Sequence, residues 1–134
     1  MALDAVRWRA THMAPWLEVL GGLCILVSYL ISCRTLAENS FAEPVVRIQK
    51  ERGHKLITTG PYSIVRHPMY GGALLFLFGM PLLLGSSYGI AISLVLTVIL
   101  AIRARLEERT LAAHFPEYKA YEETVRYRFV PFLW

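Results

Sequence analysis

At 134 residues the chain has room for one domain. With 55% hydrophobic residues, 18% charged residues and a mean hydropathy of +0.43, it falls short of the ~25% charge of an average soluble domain. The net charge of +4 sits in short basic groups beside apolar runs, which suits membrane-flanking loops and argues against a nucleic-acid partner.

The opening stretch MALDAVRWRATHMAPW is mixed polar, and the apolar run behind it is too long for a cleavable leader. That run, Trp16 to Leu36, approaches the ~20 residues needed to cross a bilayer core. Cys24 and Cys33 lie in it, without a CxxC or a nearby histidine pair. Neither a zinc site nor a disulfide framework is signalled, and both read as small apolar fillers.

Residues 37–68 are polar. They end in TTGPYSIVRHPMYGG, where Pro61 and Pro68 bias Gly60 and His67 away from helical dihedrals. Gly71 and Gly72 permit close backbone approach at the head of the next helix. Irregular polar backbone at a membrane boundary is tolerated only where it is buried in protein or lines a cavity. This stretch therefore reads either as an interfacial loop with belt tyrosines or as a site whose free helix-start N–H groups hold an anion.

Two further apolar runs follow, MYGGALLFLFGMPLLLG, interrupted by Pro81, and IAISLVLTVILAI. Each is short for a full span, and they predict a helical hairpin joined at Gly85 to Gly89. Beyond it, Arg103 and Glu107 are four apart and share a helix face, with Glu108 alongside. An acidic pair on the last turns of a membrane helix is costly unless it serves a purpose. In the tail, Tyr118 and Tyr121 are three apart and predict packing, and the closing VRYRFVPFLW reads as interfacial anchors.

The resulting expectation is an all-α integral membrane domain over 1–134, with an N-terminal span within 1–36 and a catalytic region over 37–134. About three spans are joined by a cytosolic loop and followed by a C-terminal helix. Six Lys/Arg lie in residues 34–68 and six after residue 102, against Arg7 and Arg9 at the start. The positive-inside rule then places both basic regions in the cytoplasm. Three helices are few for a self-contained membrane fold, so a homo-oligomer or a short form of a larger architecture is implied.

From about Asn39 to Trp134, roughly 70% of the chain, the pieces GHKLITTGPYSIVRHPMYGG, RARLEERTL, FPEYKAY and VRYRFVPF resemble the isoprenylcysteine carboxyl methyltransferase and phospholipid methyltransferase superfamily, in its order and at about its spacing. NSFAEPVVRIQKERGH is similar to bacterial members, which implies a bacterial cytoplasmic membrane with the site facing the cytoplasm. The resemblance implies S-adenosylmethionine as cofactor, S-adenosylhomocysteine as product, membrane lipids as surroundings and a lipophilic methyl acceptor. Position by position it implies that His54, Lys55, Leu56 and Ile57 line the cofactor's approach, with Gln49 upstream. Tyr62, His67, Pro68, Met69 and Tyr70 would form the cradle. Glu107 would bind the cofactor's ammonium with Glu108 beside it, and Arg103 would face the acceptor. Larger members carry additional N-terminal helices, which this chain replaces with one span.

Those side chains suit that ligand. A carboxylate pairs with an ammonium, an imidazole and free N–H groups hold a carboxylate, and tyrosine faces meet a sulfonium or an adenine. Methyl transfer from an activated donor needs alignment in a dry site and no metal. Arg103 favours an acceptor carboxylate and hence a methyl ester. The rivals are N-methylation of a phospholipid amine, an NADPH-dependent sterol-type reductase, and a non-catalytic scaffold. The methyltransferase reading requires His67 and Glu107 to share one hollow.

Overall fold

The computed structural model describes residues 13–39 and 56–134. Helix α1 spans Pro15–Glu38, a 3-10 turn spans Gly60–Ser63, and α2, α3 and α4 span Pro68–Leu83, Ser87–His114 and Tyr118–Thr124. No strand occurs among the described residues. The chain is all-helical, and α1 and α3 are each long and apolar enough to cross a membrane. Only 11% and 17% of their apolar windows are buried, whereas the core helix of a soluble protein would be mostly buried. Helix α2 has 16 residues and is the shorter arm of the predicted hairpin. Helix α3 runs past the apolar stretch ending at Ile102 and carries the charged residues as far as His114 on the same rod.

The described residues form two compact units. The first comprises α1 up to Leu30, then Tyr70–Leu100, and the second comprises Ile31–Met69 and Ala101–Trp134. Small residues organise the first unit. A Cβ on Gly21 would meet Leu83 N and lie 2.6 Å from Gly79 O, and one on Gly79 would lie 2.9 Å from Gly21 O. Backbone therefore touches backbone where α1 crosses α2, as small residues allow in helix pairs that lack a hydrophobic drive. The buried hydroxyl of Ser28 donates to Gly72 O at 2.7 Å. That of Ser93 is shared between Leu77 O and Gly89 O. These bonds satisfy groups that would be costly to leave bare in an apolar setting.

The turn between α2 and α3 follows from its residues. Pro81 sits in the last turns of α2, Gly85 takes φ +63, and Ser86 N donates to Pro81 O at 2.8 Å. Ser86 then caps α3 by accepting from Gly89 N at 3.1 Å.

The second unit is built on rings. Tyr118, Tyr121 and Val125 form its core, with Leu56, Leu111 and Phe115 packed against them. The two tyrosine rings meet edge to face at 5.9 Å.

Candidate active site

The RHP segment is shaped by what stands on either side of it. Gly60 takes φ +58, and a Cβ there would lie 2.8 Å from Glu38 Oε2, so glycine alone fits without displacing that carboxylate. Thr59 donates its hydroxyl to Glu38 Oε1. Pro61 opens the 3-10 turn, which Ser63 closes by donating to Gly60 O at 2.7 Å. Asn39 Nδ2 donates to the Tyr62 hydroxyl at 2.9 Å, and the Tyr121 hydroxyl donates to Tyr62 O at 2.7 Å. Pro68 then starts α2, where a missing N–H costs nothing.

Between the prolines the backbone pairs with the tail. Arg66 N donates to Tyr127 O at 2.9 Å and His67 N to Arg128 O at 2.8 Å. The side chains of 66, 67 and 128 thus converge on α3. Glu108, 7% exposed, receives them. Its carboxylate lies 3.0 Å from Arg66 Nε, 3.0 Å from Arg128 Nε and 3.3 Å from His67 Nε2. Arg66 also reaches Glu122 Oε1, which lies 2.7 Å from its Nη1. The opposite imidazole nitrogen, Nδ1, lies 3.9 Å from Glu107 Oε2, and the Glu107 side chain is 29% exposed. One imidazole therefore stands between two carboxylates, one buried among cations and one partly exposed. The His67 and Phe129 rings meet edge to face at 6.0 Å.

The electrostatics follow from this arrangement. Burial pushes the Glu108 carboxyl up, but the hydrogen bonds from His67 and Arg128 and the Arg66 charge outweigh it and hold the group below the usual carboxylate range. Glu108 lies beyond the apolar stretch of α3. Burial raises the Tyr62 phenol, and the Glu107 charge adds to the rise despite the bond from Asn39. Tyr118 and Tyr121 are raised further, chiefly by burial. All three phenols stay protonated, as hydrogen-bond donors or packing rings.

His67, Glu107 and Glu108 come together. Arg103 is half-buried one turn before Glu107 on α3, and Pro68 is buried beside His67. Ile57 and Met69 are half-buried in the same unit, whereas Tyr70 falls in the first unit. Leu56 packs on the tyrosine core. It also lines an open hollow of about 490 Å³ with Thr58, Ser63, Glu117, Tyr121 and Val125. That hollow shares only Leu56 with the candidate set, and the ion cluster carries the stronger chemical case. Gln49, His54 and Lys55 lie outside the described residues. Sequence reasoning passed over Arg66, Arg128 and Glu122. An arginine directly before the histidine was the available signal for Arg66, but nothing local links Arg128 to Glu108. No group of three His, Cys, Asp or Glu residues that could hold a metal occurs among the described residues.

Residues 16–118 match the profile of the phospholipid methyltransferase family, and the chain belongs to that family. It is 32% identical over 119 residues to a cobalt-zinc-cadmium resistance protein of Cupriavidus metallidurans, covering 86% of this chain and 50% of the relative. It is 33% identical over 110 residues to the protein-S-isoprenylcysteine O-methyltransferase of Schizosaccharomyces pombe, covering 81% and 46%. With the human protein-S-isoprenylcysteine O-methyltransferase it shares 29% over 127 residues, covering 92% and 44%. The chain thus spans about half the length of the curated relatives it matches.

Proposed function

We propose that this chain is an integral-membrane methyltransferase that moves a methyl group from S-adenosylmethionine to a carboxylate on a lipophilic acceptor. The observation that carries the reading is the pairing of His67 with Glu107. A cationic amine needs a carboxylate it can reach, and Glu107 is the more exposed member of the acidic pair, 3.9 Å from the imidazole. Glu108 is already matched by two guanidiniums and the imidazole, so its part is to hold the site in shape beside the cofactor.

The residues fit the cofactor's chemistry. Glu107 would take its ammonium, His67 and the N–H groups opening α2 its carboxylate, and the Tyr62 ring one of its flat or cationic parts. When bound, S-adenosylmethionine supplies a methyl already activated on a sulfonium. The chain's task is then to align the acceptor and keep water out. Arg103, one turn from Glu107, is placed to pair with an acceptor carboxylate. His54, Lys55, Leu56, Ile57, Met69 and Tyr70 complete the proposed cofactor set.

The proposed topology has three spans, residues 16–36, 69–85 and 90–102. The RHP loop and the tail would lie on the cytoplasmic side, a reading supported by the twelve Lys/Arg of residues 34–68 and 103–134. The large apolar side chains exposed along α1 and α3, among them Leu23, Leu26, Val95 and Ile99, suit contact with lipid. The family description favours one competing acceptor, a phospholipid amine. The names of the isoprenylcysteine relatives favour the carboxylate.

The test is methyl incorporation from labelled S-adenosylmethionine into total membrane lipid by the detergent-purified chain, with base treatment of the product. Base-labile label marks an ester and base-stable label an amine. Thermal stabilisation by S-adenosylhomocysteine and none by NADPH is expected. Stabilisation by NADPH alone would replace the transferase reading with a reductase.

A further inference from the structure

We propose that Arg128 is a positioning residue for His67, acting through Glu108. Three observations carry this. Arg128 Nε lies 3.1 and 3.0 Å from the two oxygens of Glu108, so it pins the carboxylate as a whole. The same carboxylate lies 3.3 Å from His67 Nε2, so its orientation sets that of the imidazole. The Arg128 guanidinium is itself fixed on its face: its central carbon stands 5.1 Å from the centroid of the Trp134 ring. That ring meets Phe129 edge to face at 5.0 Å, and Arg128 N donates to Trp134 O at 2.7 Å.

A planar cation held by its face and donating along its edge is a task for arginine, because an ammonium offers neither a face nor a fork. Arg66 also helps to neutralise Glu108, but it is drawn to Glu122 as well. Arg128 therefore decides how the carboxylate is turned. With Nε2 engaged by Glu108, Nδ1 is directed toward Glu107, the geometry that the proposed site needs.

The affinity arm of the test rests on the cofactor reading above, and the spectroscopic arm does not. In the cofactor-free chain labelled with 15N-histidine, a protected Nε2–H proton of His67 is expected, assigned by its loss in His67→Gln. Arg128→Gln removes it, and Arg128→Lys does not restore it. Retention of the signal at wild-type intensity in Arg128→Gln overturns the proposal. In calorimetry with S-adenosylhomocysteine, Arg128→Gln weakens binding about tenfold. In a Glu108→Gln background the same change adds little, because its route to His67 is already cut. Additive losses, or unchanged affinity in the single variant, overturn the proposal.

Should Arg128→Gln not fold, Arg128→Lys and Trp134→Leu carry the test, since both keep every charge of the cluster. Loss of the Nε2–H signal in both supports the proposal, and an unchanged signal in both defeats it. If the wild-type chain binds no S-adenosylhomocysteine while the Nε2–H signal still depends on Arg128, the cofactor reading fails and the positioning role stands.

Discussion

The two units bury opposite things. In the first, what is hidden is small and neutral: Gly21 and Gly79 against backbone, and Ser28 and Ser93 with their hydroxyls on carbonyls, while large apolar side chains face outward. In the second, what is hidden includes large and charged groups: Tyr118, Tyr121, Arg66, His67 and Glu108. The first arrangement suits helices whose surroundings are as apolar as their side chains, so that close approach and hydrogen bonds supply the adhesion. The second suits a region that faces water and hides a few charges because it needs them fixed. A buried ion pair is weak evidence for stability. A buried cluster next to an accessible carboxylate is better explained by orientation.

The largest break in this contrast should come from Glu108→Ala. It leaves two guanidiniums and an imidazole without their shared carboxylate, and removing one partner of a buried pair costs about 3–5 kcal/mol. Thermal unfolding in detergent should show a much lower midpoint, and a change below about 1 kcal/mol would mean that the cluster is solvated. Acid should approach the same state reversibly. The folded Glu108 titrates below its unfolded value, so its contribution is fully present above the ordinary carboxylate range and is lost as pH falls through the depressed folded value. Melting temperature should therefore drop as pH is lowered below that range, and Glu108→Gln should flatten the drop.

Next in size is Gly21→Ala in the first unit. The added methyl meets backbone atoms of Gly79 and Leu83 that cannot rotate away, and overpacking of this kind costs about 1–3 kcal/mol. The same assay reads it, and wild-type stability would show that the helices can slide apart freely. Smallest is Gly60→Ala, at about 1 kcal/mol for a left-handed residue. Its added Cβ meets only the Glu38 side chain, which can shift. A loss as large as that of Gly21→Ala would show that Glu38 is rigidly held.

Much of the architecture was legible in the sequence. Helix α1 could be read as an apolar run bounded by polar ends, and the break between α2 and α3 as a Gly-Ser turn. The extent of α3 was less visible, because hydropathy marks where lipid ends and not where a helix ends. Leu106, Leu111 and good helix-forming residues such as Glu107 and Arg109 carry it onward to His114. In the site, His67 and Glu107 were nameable because motif residues cluster in sequence. The different tasks of Glu107 and Glu108 were not, since two adjacent glutamates look alike until their neighbours are known. Those neighbours come from afar: Arg66 from the RHP loop and Arg128 from the tail.

The two backbone hydrogen bonds between residues 66–67 and 127–128 carry a consequence for biosynthesis. The loop leaves the ribosome long before the tail segment that holds it, and even the Glu122 partner of Arg66 is made 56 residues later. Until the tail emerges, Glu108 has only part of its cation shell. The ion cluster around Glu108 is therefore complete only once residues 122–128 have been made, and a nascent chain stalled before Arg128 should lack the closed cluster.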